Sequence, residues 1–361
     1  MDLQKLIKTH LKDFEAYEPG EQPRSGGWVK LNTNENPYPP IPEILNDIKN
    51  AVGDRIKLYP DPLAIKLRKK FVNLYLKDFD TVDDIDYIFV GNGTDDILEV
   101  IFKLFIEPGD NVIYFDPSYG MYKTLTELYG GNCIEVPLGM NFSFPDDAFK
   151  VEGKLFIINS PNNPTGQSFN NHSIQKTCES FPGVVVVDET YADFSKKTAL
   201  PLLKKINNLV ITRSFSKSFS LASLRIGLAI ANKKLISLMN RVKLPYNVNY
   251  LAQIAAISCI VNKEKVYRNN EKIISERKRL RNQLKKYPKI SVFPSDSNFV
   301  LIKFEDKSPA IKIFENLKQK KILVRYFDKP SLAEYIRISI GTREQNNKFL
   351  HEFEKFVNKN L

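Results

Sequence analysis

Four consecutive valines, Val184 to Val187, running straight into Asp188-Glu189, constrain this chain more than any other feature. A strand with one wet face alternates apolar and polar residues. An unbroken apolar run instead suits a strand buried on both faces, as in a parallel sheet covered by helices. Strand-like runs recur at residues 87–90, 111–115, 155–159, 209–212 and 226–231. Helical spacing lies between them: Ile97, Leu98, Ile101, Leu104 and Phe105 share one face. Strands alternating with helices in this way give an α/β fold with a mostly parallel central sheet sandwiched by helices. The longest apolar stretch, 251–261, is interrupted by Gln253 and Ser258 and falls short of the ~18 residues of a membrane span, so it reads as a buried helix.

After about residue 265 the texture changes. A charged helix at 264–286 leads to strands at 290–293 and 298–304, a helix at 310–319, strands at 322–325 and 336–340, and a closing helix carrying Phe349, Leu350, Phe353, Phe356 and Val357. This mixture predicts a smaller α+β domain over 266–361, beside a large domain over 46–265. Residues 1–45 form an N-terminal segment that packs with the small domain or with a partner subunit. In that segment Leu3, Leu6, Ile7, Leu11 and Phe14 fall at helical spacing, which predicts a docking helix.

Several chemistries fit the composition poorly. The three histidines, at 10, 172 and 351, lie outside any motif, which argues against histidine triads and histidine-ligated metals. The three cysteines (133, 178 and 259) are far apart, odd in number and lack metal-site spacing, which points to a reducing compartment, the cytoplasm. The net charge is +11, but 53 basic residues are scattered among 42 acidic ones. The densest cluster, Arg277-Lys278-Arg279-Leu280-Arg281, reads as a solvated helix face rather than a nucleic-acid surface. A basic surface equally attracts small anionic substrates.

Four segments carry chemistry. In Gly91-Asn92-Gly93-Thr94-Asp95-Asp96 a strand ends, glycines permit a tight turn and a helix begins, so free backbone N–H groups make an anion site. Thr94 is both candidate N-cap and phosphate ligand. Asp95 and Asp96 suit the helix dipole but repel an anion if they face it, and a plain capped turn explains the segment about as well. Ser160-Pro161-Asn162-Asn163-Pro164-Thr165-Gly166 makes a rigid loop at a strand's C-terminal end, where open α/β sheets bind ligands. Asp188, at the end of an all-apolar strand, is costly to bury unless it meets a cation or several donors. A pyridinium N–H would serve, and capping the next helix is the plainer alternative. Tyr191, three residues on, presents a hydroxyl nearby. In Ser214-Phe215-Ser216-Lys217-Ser218, with Arg225 eight residues after the lysine, an amine able to form a Schiff base sits among hydroxyls and a guanidinium suited to phosphate.

These segments occur in order with Leu31-Asn32-Thr33-Asn34-Glu35-Asn36-Pro37-Tyr38, Tyr59-Pro60-Asp61-Pro62 and Arg337-Ile338-Ser339-Ile340-Gly341-Thr342-Arg343. Together they resemble the histidinol-phosphate aminotransferase family, a branch of the fold-type I pyridoxal 5'-phosphate (PLP) enzymes, over nearly the whole chain. The resemblance implies that Lys217 holds PLP as a Schiff base, Asp188 pairs with the pyridine nitrogen, and Tyr191 and Asn163 contact the phenolic oxygen. It places Gly93, Thr94, Ser214, Ser216 and Arg225 on the phosphate and Tyr119 on the ring face. Tyr59 would reach the phosphate of a partner subunit, implying a homodimer. Arg337 and Arg325 would bind substrate carboxylate or phosphate, and Tyr38 would line the pocket. The implied reaction converts L-histidinol phosphate and 2-oxoglutarate to imidazole acetol phosphate and L-glutamate. Aromatic aminotransferases and phosphothreonine-type decarboxylases are the alternatives within the same chemistry.

Overall fold

A computed structural model describes residues 3–77, 79, 84–146 and 148–360. The first regular elements are strand β1 (Val29–Lys30) and helices α1 (Pro42–Ala51) and α2 (Ile65–Tyr75). The central sheet then begins with β2 (Ile88–Gly91), α3 (Thr94–Phe105), β3 (Asn111–Asp116), α4 (Met121–Leu128) and β4 (Asn132–Pro137). It continues through β5 (Leu155–Asn159), α5 (Asn171–Ser180), β6 (Val184–Asp188), β7 (Leu209–Ser214) and β8 (Gly227–Ala231). Helices α6 (Lys233–Val242) and α7 (Tyr250–Val261) follow. The seven strands lie in the order β2-β8-β7-β6-β5-β3-β4, all pairs parallel except those made by β8.

The valine run explains the layering. Val185 and Val187 enter one apolar cluster with residues of α1, α2, α5 and α7, whereas Val184 and Val186 enter another with residues of α3, α4 and α6. Successive side chains of a strand point to opposite faces, so a strand covered by helices on both sides must be apolar at every position. Strand β4 has a different environment. It lies at the sheet edge with every position exposed or half-buried, Glu135 among them, so its sequence carries no such run.

The long helix α8 (Lys263–Leu284) leads into β9 (Ile290–Val292), β10 (Phe299–Phe304), α9 (Lys307–Gln319), β11 (Ile322–Leu323), β12 (Arg325–Tyr326), β13 (Tyr335–Ser339) and α10 (Arg343–Asn360). Strands β12-β13-β10-β9 form an antiparallel sheet, and β1 pairs in parallel with β11. The Ser339 N–H donates to Leu31 O at 2.9 Å, so residues around 29–34 are joined to this second sheet.

Three expectations are corrected. The spacing of Leu3 to Phe14 does not produce a helix: the segment makes two short 3-10 turns, Leu3–Lys5 and Thr9–Leu11, and Leu3 and Leu6 are about two-thirds exposed. An amphipathic stripe stabilises a helix only when it packs against something, and Leu3, Leu6 and Ile7 are left exposed while only Leu11 and Phe14 are half-buried. Residues 322–325 are two strands, because β11 and β12 pair with different neighbours. The basic cluster on α8 is not a solvated face. Arg277 is buried and donates to the carbonyls of Phe194 (3.2 Å) and Ser297 (2.5 Å), Arg279 grips Glu276, and Arg281 donates to Phe293 O at 2.9 Å.

Candidate active site

One edge of the central sheet gathers the chemistry. Asn159 pairs with Asp188, Asp188 with Thr212, Ser214 with Gly227 and Gly227 with Gly91, so the ends of β5, β6, β7 and β2 converge on the start of β8. Ligands in open α/β folds bind outside such strand ends.

At the β2 end, Gly93 has φ +87°, and a Cβ there would stand 2.7 Å from Arg225 Nη2. A Cβ at Gly227 would approach the Gly93 carbonyl carbon to 2.9 Å and Thr94 N to 3.0 Å. Both glycines are thus required for backbone and guanidinium to close on one spot. Arg225, itself in the left-handed region at φ +52°, reaches Ser216 Oγ at 3.5 Å, and Ser216 N–H donates to Ser214 Oγ at 3.2 Å. Thr94 is not the N-cap as expected: Gly93 occupies the cap, and Thr94 is the first residue of α3, its hydroxyl 3.4 Å from that of Thr190. The first-turn N–H groups of α3 have no carbonyl one turn back to bond. The two acidic residues separate by role. Asp96 Oδ2 accepts from Asn92 N–H (2.7 Å) and Asn247 Nδ2 (2.9 Å), pinning the turn, whereas Asp95 pairs with Arg225 Nη2 at 2.9 Å and accepts from Tyr119 OH at 3.3 Å.

Asp188 is buried and has no ion pair among the described residues, yet it is densely donated to. Its Oδ1 accepts from Thr190 N–H (3.0 Å), Thr190 Oγ1 (2.7 Å) and Thr212 Oγ1 (3.2 Å), and its Oδ2 from Tyr122 OH (2.7 Å). Burial holds its pKa above the ordinary carboxylate value, while these donors oppose that rise. It caps no α-helix.

The Lys217 amine donates to Thr33 O at 3.0 Å, and the Lys217 carbonyl accepts from Asn36 Nδ2 at 2.9 Å. Burial, then the charge of Arg337, lowers its pKa to about 8, with Glu35 and Asp95 pulling the other way. Tyr191 OH accepts from Asn34 Nδ2 at 3.0 Å, and burial pushes its pKa up to about 12. Asn163 is wired to the same corner. Its N–H donates to Asn159 Oδ1 (2.7 Å), and Asn159 Nδ2 donates to Asp188 O (3.0 Å).

Arg337 is buried, with its Nη2 donating to Asn32 O at 2.6 Å and its Nη1 to Asn163 Oδ1. Its Nε has no partner, it makes no ion pair among the described residues, and burial lowers its pKa to about 10. Arg325 stands directly opposite it in the β12–β13 ladder, and both guanidinium groups lie 5.6 Å from the Phe327 ring. Arg325 forms no ion pair among the described residues, so a structural salt bridge does not account for it. Tyr38 lines a cleft of about 450 Å³ with Glu35, Asn36, Ser216 and Ser220.

The chain therefore brings together every sequence-predicted residue except Tyr59, which is 81% exposed and stacked on Tyr246 with ring centroids 4.4 Å apart. Sequence reading assigned no role to Asn34, Thr190 or Tyr122. Tyr122 lies one helical turn beyond Tyr119, and that spacing was its only signal.

The residues fit PLP. A guanidinium, hydroxyls and helix N–H groups at a glycine-cleared corner suit a phosphate, a buried carboxylate without a cation suits a ring N–H, and an amine of lowered pKa suits an aldehyde.

Comparisons with known proteins agree. The family model "Aminotransferase class I and II" matches residues 26–353. The histidinol-phosphate aminotransferase of Synechocystis sp. is 37% identical over 344 residues, covering 95% of this chain and 96% of that protein. Among solved structures, the histidinol-phosphate aminotransferase of Clostridium acetobutylicum superposes with a TM-score of 0.82 at 26% identity, covering 91% of this chain and 99% of that one. The Sinorhizobium meliloti enzyme in complex with pyridoxal-5'-phosphate shares the fold, with a TM-score of 0.84 at 22% identity over 91% of each chain. By its sequence and its sheet-edge site alike, this chain belongs to the class I and II aminotransferase family, in the company of the histidinol-phosphate aminotransferases.

Proposed function

We propose that this chain is a PLP-dependent aminotransferase that passes the amino group of L-histidinol phosphate to 2-oxoglutarate, yielding imidazole acetol phosphate and L-glutamate, as a cytoplasmic homodimer. The observation that carries the reading is the convergence of Lys217, Asp188 and Arg337 on one site, each with its charge unpaired by any opposite charge in hydrogen-bond reach among the described residues. Residues 46–265 then form the cofactor-binding domain and 266–361 the smaller domain that contributes both substrate arginines.

PLP would be held by Lys217 at its aldehyde, Asp188 at its ring nitrogen, Tyr191 and Asn163 at its phenolic oxygen, Tyr119 at its face, and Gly93, Thr94, Ser214, Ser216 and Arg225 at its phosphate. When bound it supplies an electron-withdrawing ring that stabilises negative charge at the donor's α-carbon. Lys217, with its pKa lowered to about 8, holds a substantial unprotonated fraction near neutrality and can take and return the α-carbon proton. Tyr191 keeps its proton throughout that range and donates a hydrogen bond, its orientation fixed by Asn34. The paired forks of Arg337 and Arg325 answer a chemical difficulty. Glutamate presents carboxylates and histidinol phosphate a phosphate, and a planar guanidinium grips either in two-point fashion.

A coupled assay on the purified PLP-loaded protein, following glutamate, tests this. L-histidinol phosphate is expected to give much the highest kcat/KM against phenylalanine and phosphothreonine as competing donors, and Lys217→Ala to abolish turnover. Glutamate formation from another donor only would remove the proposed substrate, and carbon dioxide release without an oxo product would make the chain a decarboxylase.

A further inference from the structure

We infer that Tyr122 is a positioning residue, whose hydroxyl keeps the negative charge on Asp188 Oδ2 and so holds on the cofactor's ring nitrogen the proton that Asp188 and the ring share. This rests on the reading of Asp188 as the ring-nitrogen partner.

The two oxygens of Asp188 are unequally served. Oδ1 takes three donors, from the turn after β6 and from the neighbouring β7: Thr190 N–H, Thr190 Oγ1 and Thr212 Oγ1. A carboxylate oxygen has two lone-pair sites, so Oδ1 is saturated. Oδ2 takes one donor, Tyr122 OH at 2.7 Å, and is the oxygen with capacity for another N–H. Tyr122 is fully buried, and Asp188 is its hydroxyl's partner. Burial raises the pKa of Tyr122 far above the ordinary range, so it remains a donor.

The placement is specific. Tyr122 N–H bonds to Tyr119 O at 3.1 Å, and the two rings meet edge to face with centroids 5.6 Å apart. One helical turn therefore carries both the ring-face residue and the group behind the carboxylate. The proton between Asp188 and the ring has two homes, an N–H bond facing a carboxylate or an O–H bond facing a neutral pyridine. A hydroxyl donating to Oδ2 stabilises the charged oxygen and hence the first. Tyr122→Phe keeps the ring and its packing and removes only that donor.

The test is the ¹⁵N NMR shift of PLP labelled at its ring nitrogen, bound to the wild-type protein and to Tyr122→Phe, with Asp188→Asn marking the unprotonated limit. The wild-type signal is expected at the pyridinium position and the Tyr122→Phe signal displaced toward that limit. A drop in kcat of about tenfold or more should follow, with a smaller change in KM, as for loss of a hydrogen bond to a charged group. Thr212→Val, which removes one of three Oδ1 donors, is expected to displace the signal the same way but less, and Tyr122→Leu, which also removes the hydroxyl, repeats the measurement if Tyr122→Phe does not fold. A signal unmoved by loss of the Tyr122 hydroxyl, or moved no further than in Thr212→Val, would overturn the role of Tyr122. A wild-type signal already at the unprotonated position would instead overturn the pairing of Asp188 with the ring.

Discussion

Lys217, half-buried, and Arg337, buried, are two cations that oppose each other's charge. Burial is the first cause of the lowered pKa at both, and Arg337 is the second at Lys217. A positive neighbour disfavours the ammonium, so removing it must raise the lysine's pKa. In PLP-free protein, capture of Lys217 by an amine reagent such as cyanate should therefore rise through a midpoint near pH 8. In Arg337→Gln the midpoint should move to higher pH, as read by mass spectrometry of the modified lysine; an unmoved midpoint would leave burial as the whole cause. Arg337→Lys asks a different question, since it retains the charge and loses the planar fork with its bonds to Asn32 and Asn163. Charged hydrogen bonds of this kind contribute about 1.5–3 kcal/mol, which predicts KM values for both substrates raised on the order of 10- to 100-fold, with kcat less affected. The residues at this scale that the sequence revealed are those embedded in motifs, such as Lys217 between hydroxyls or Asp188 at the end of its valines. Asn34 and Tyr122 act through partners 157 and 66 positions away, and no local pattern records such a meeting.

Elements were legible in proportion to how fully their environment wrote itself into them. Strands β5 and β6, covered on both faces, are apolar almost throughout and were found nearly to the residue, whereas β7 runs two residues past the expected 209–212 because its C-terminal half, Thr212-Arg213-Ser214, is polar. Strand β4 at the sheet edge has no buried position and went unseen, and 322–325 read as one strand because its two halves differ only in which neighbour they pair with. Beneath the site, the loop after β7 is tied to β6 by a buried ionic network that sequence did not announce. Arg213 pairs with Glu189 at 2.7 Å and Asp193 at 3.2 Å and lies over the Tyr75 ring, and Ser218, beside Lys217, donates to Asp193 at 2.5 Å. Arg213→Met leaves two buried carboxylates without their cation. Breaking such a group typically costs about 3–5 kcal/mol, which urea unfolding should report, and Arg213→Met combined with Glu189→Gln should recover part of the loss. A variant as stable as wild type would mean that the neutral donors to Glu189, Thr198 Oγ1 and Ala199 N–H, suffice alone.

At the scale of the whole molecule, the residue that stands apart from the site bears on the assembly. Tyr59 lies on an exposed apolar face with Ile56, Leu58, Leu244 and Tyr246, and Lys243 Nζ bonds to Pro62 O at 2.8 Å, which joins the two loops into one surface. Contiguous exposed apolar surface of this kind marks an interaction site, and a second copy related by two-fold symmetry would carry Tyr59 across to a neighbouring cradle. The proposed homodimer then has shared active sites, and complementation distinguishes this from a Tyr59 that serves only packing. Lys217→Ala chains lack the amine but retain Tyr59, and Tyr59→Ala chains have the reverse defect. If Tyr59 acts in trans, a hybrid dimer holds one complete site and one doubly defective site. Unfolding and refolding the two variants together in equal amounts makes half the dimers hybrid, so activity should return to about a quarter of the wild-type value, although Lys217→Ala alone gives none and Tyr59→Ala little. If Tyr59 acts within its own chain, every site in the mixture keeps one defect, and refolding together restores nothing beyond the mean of the two variants.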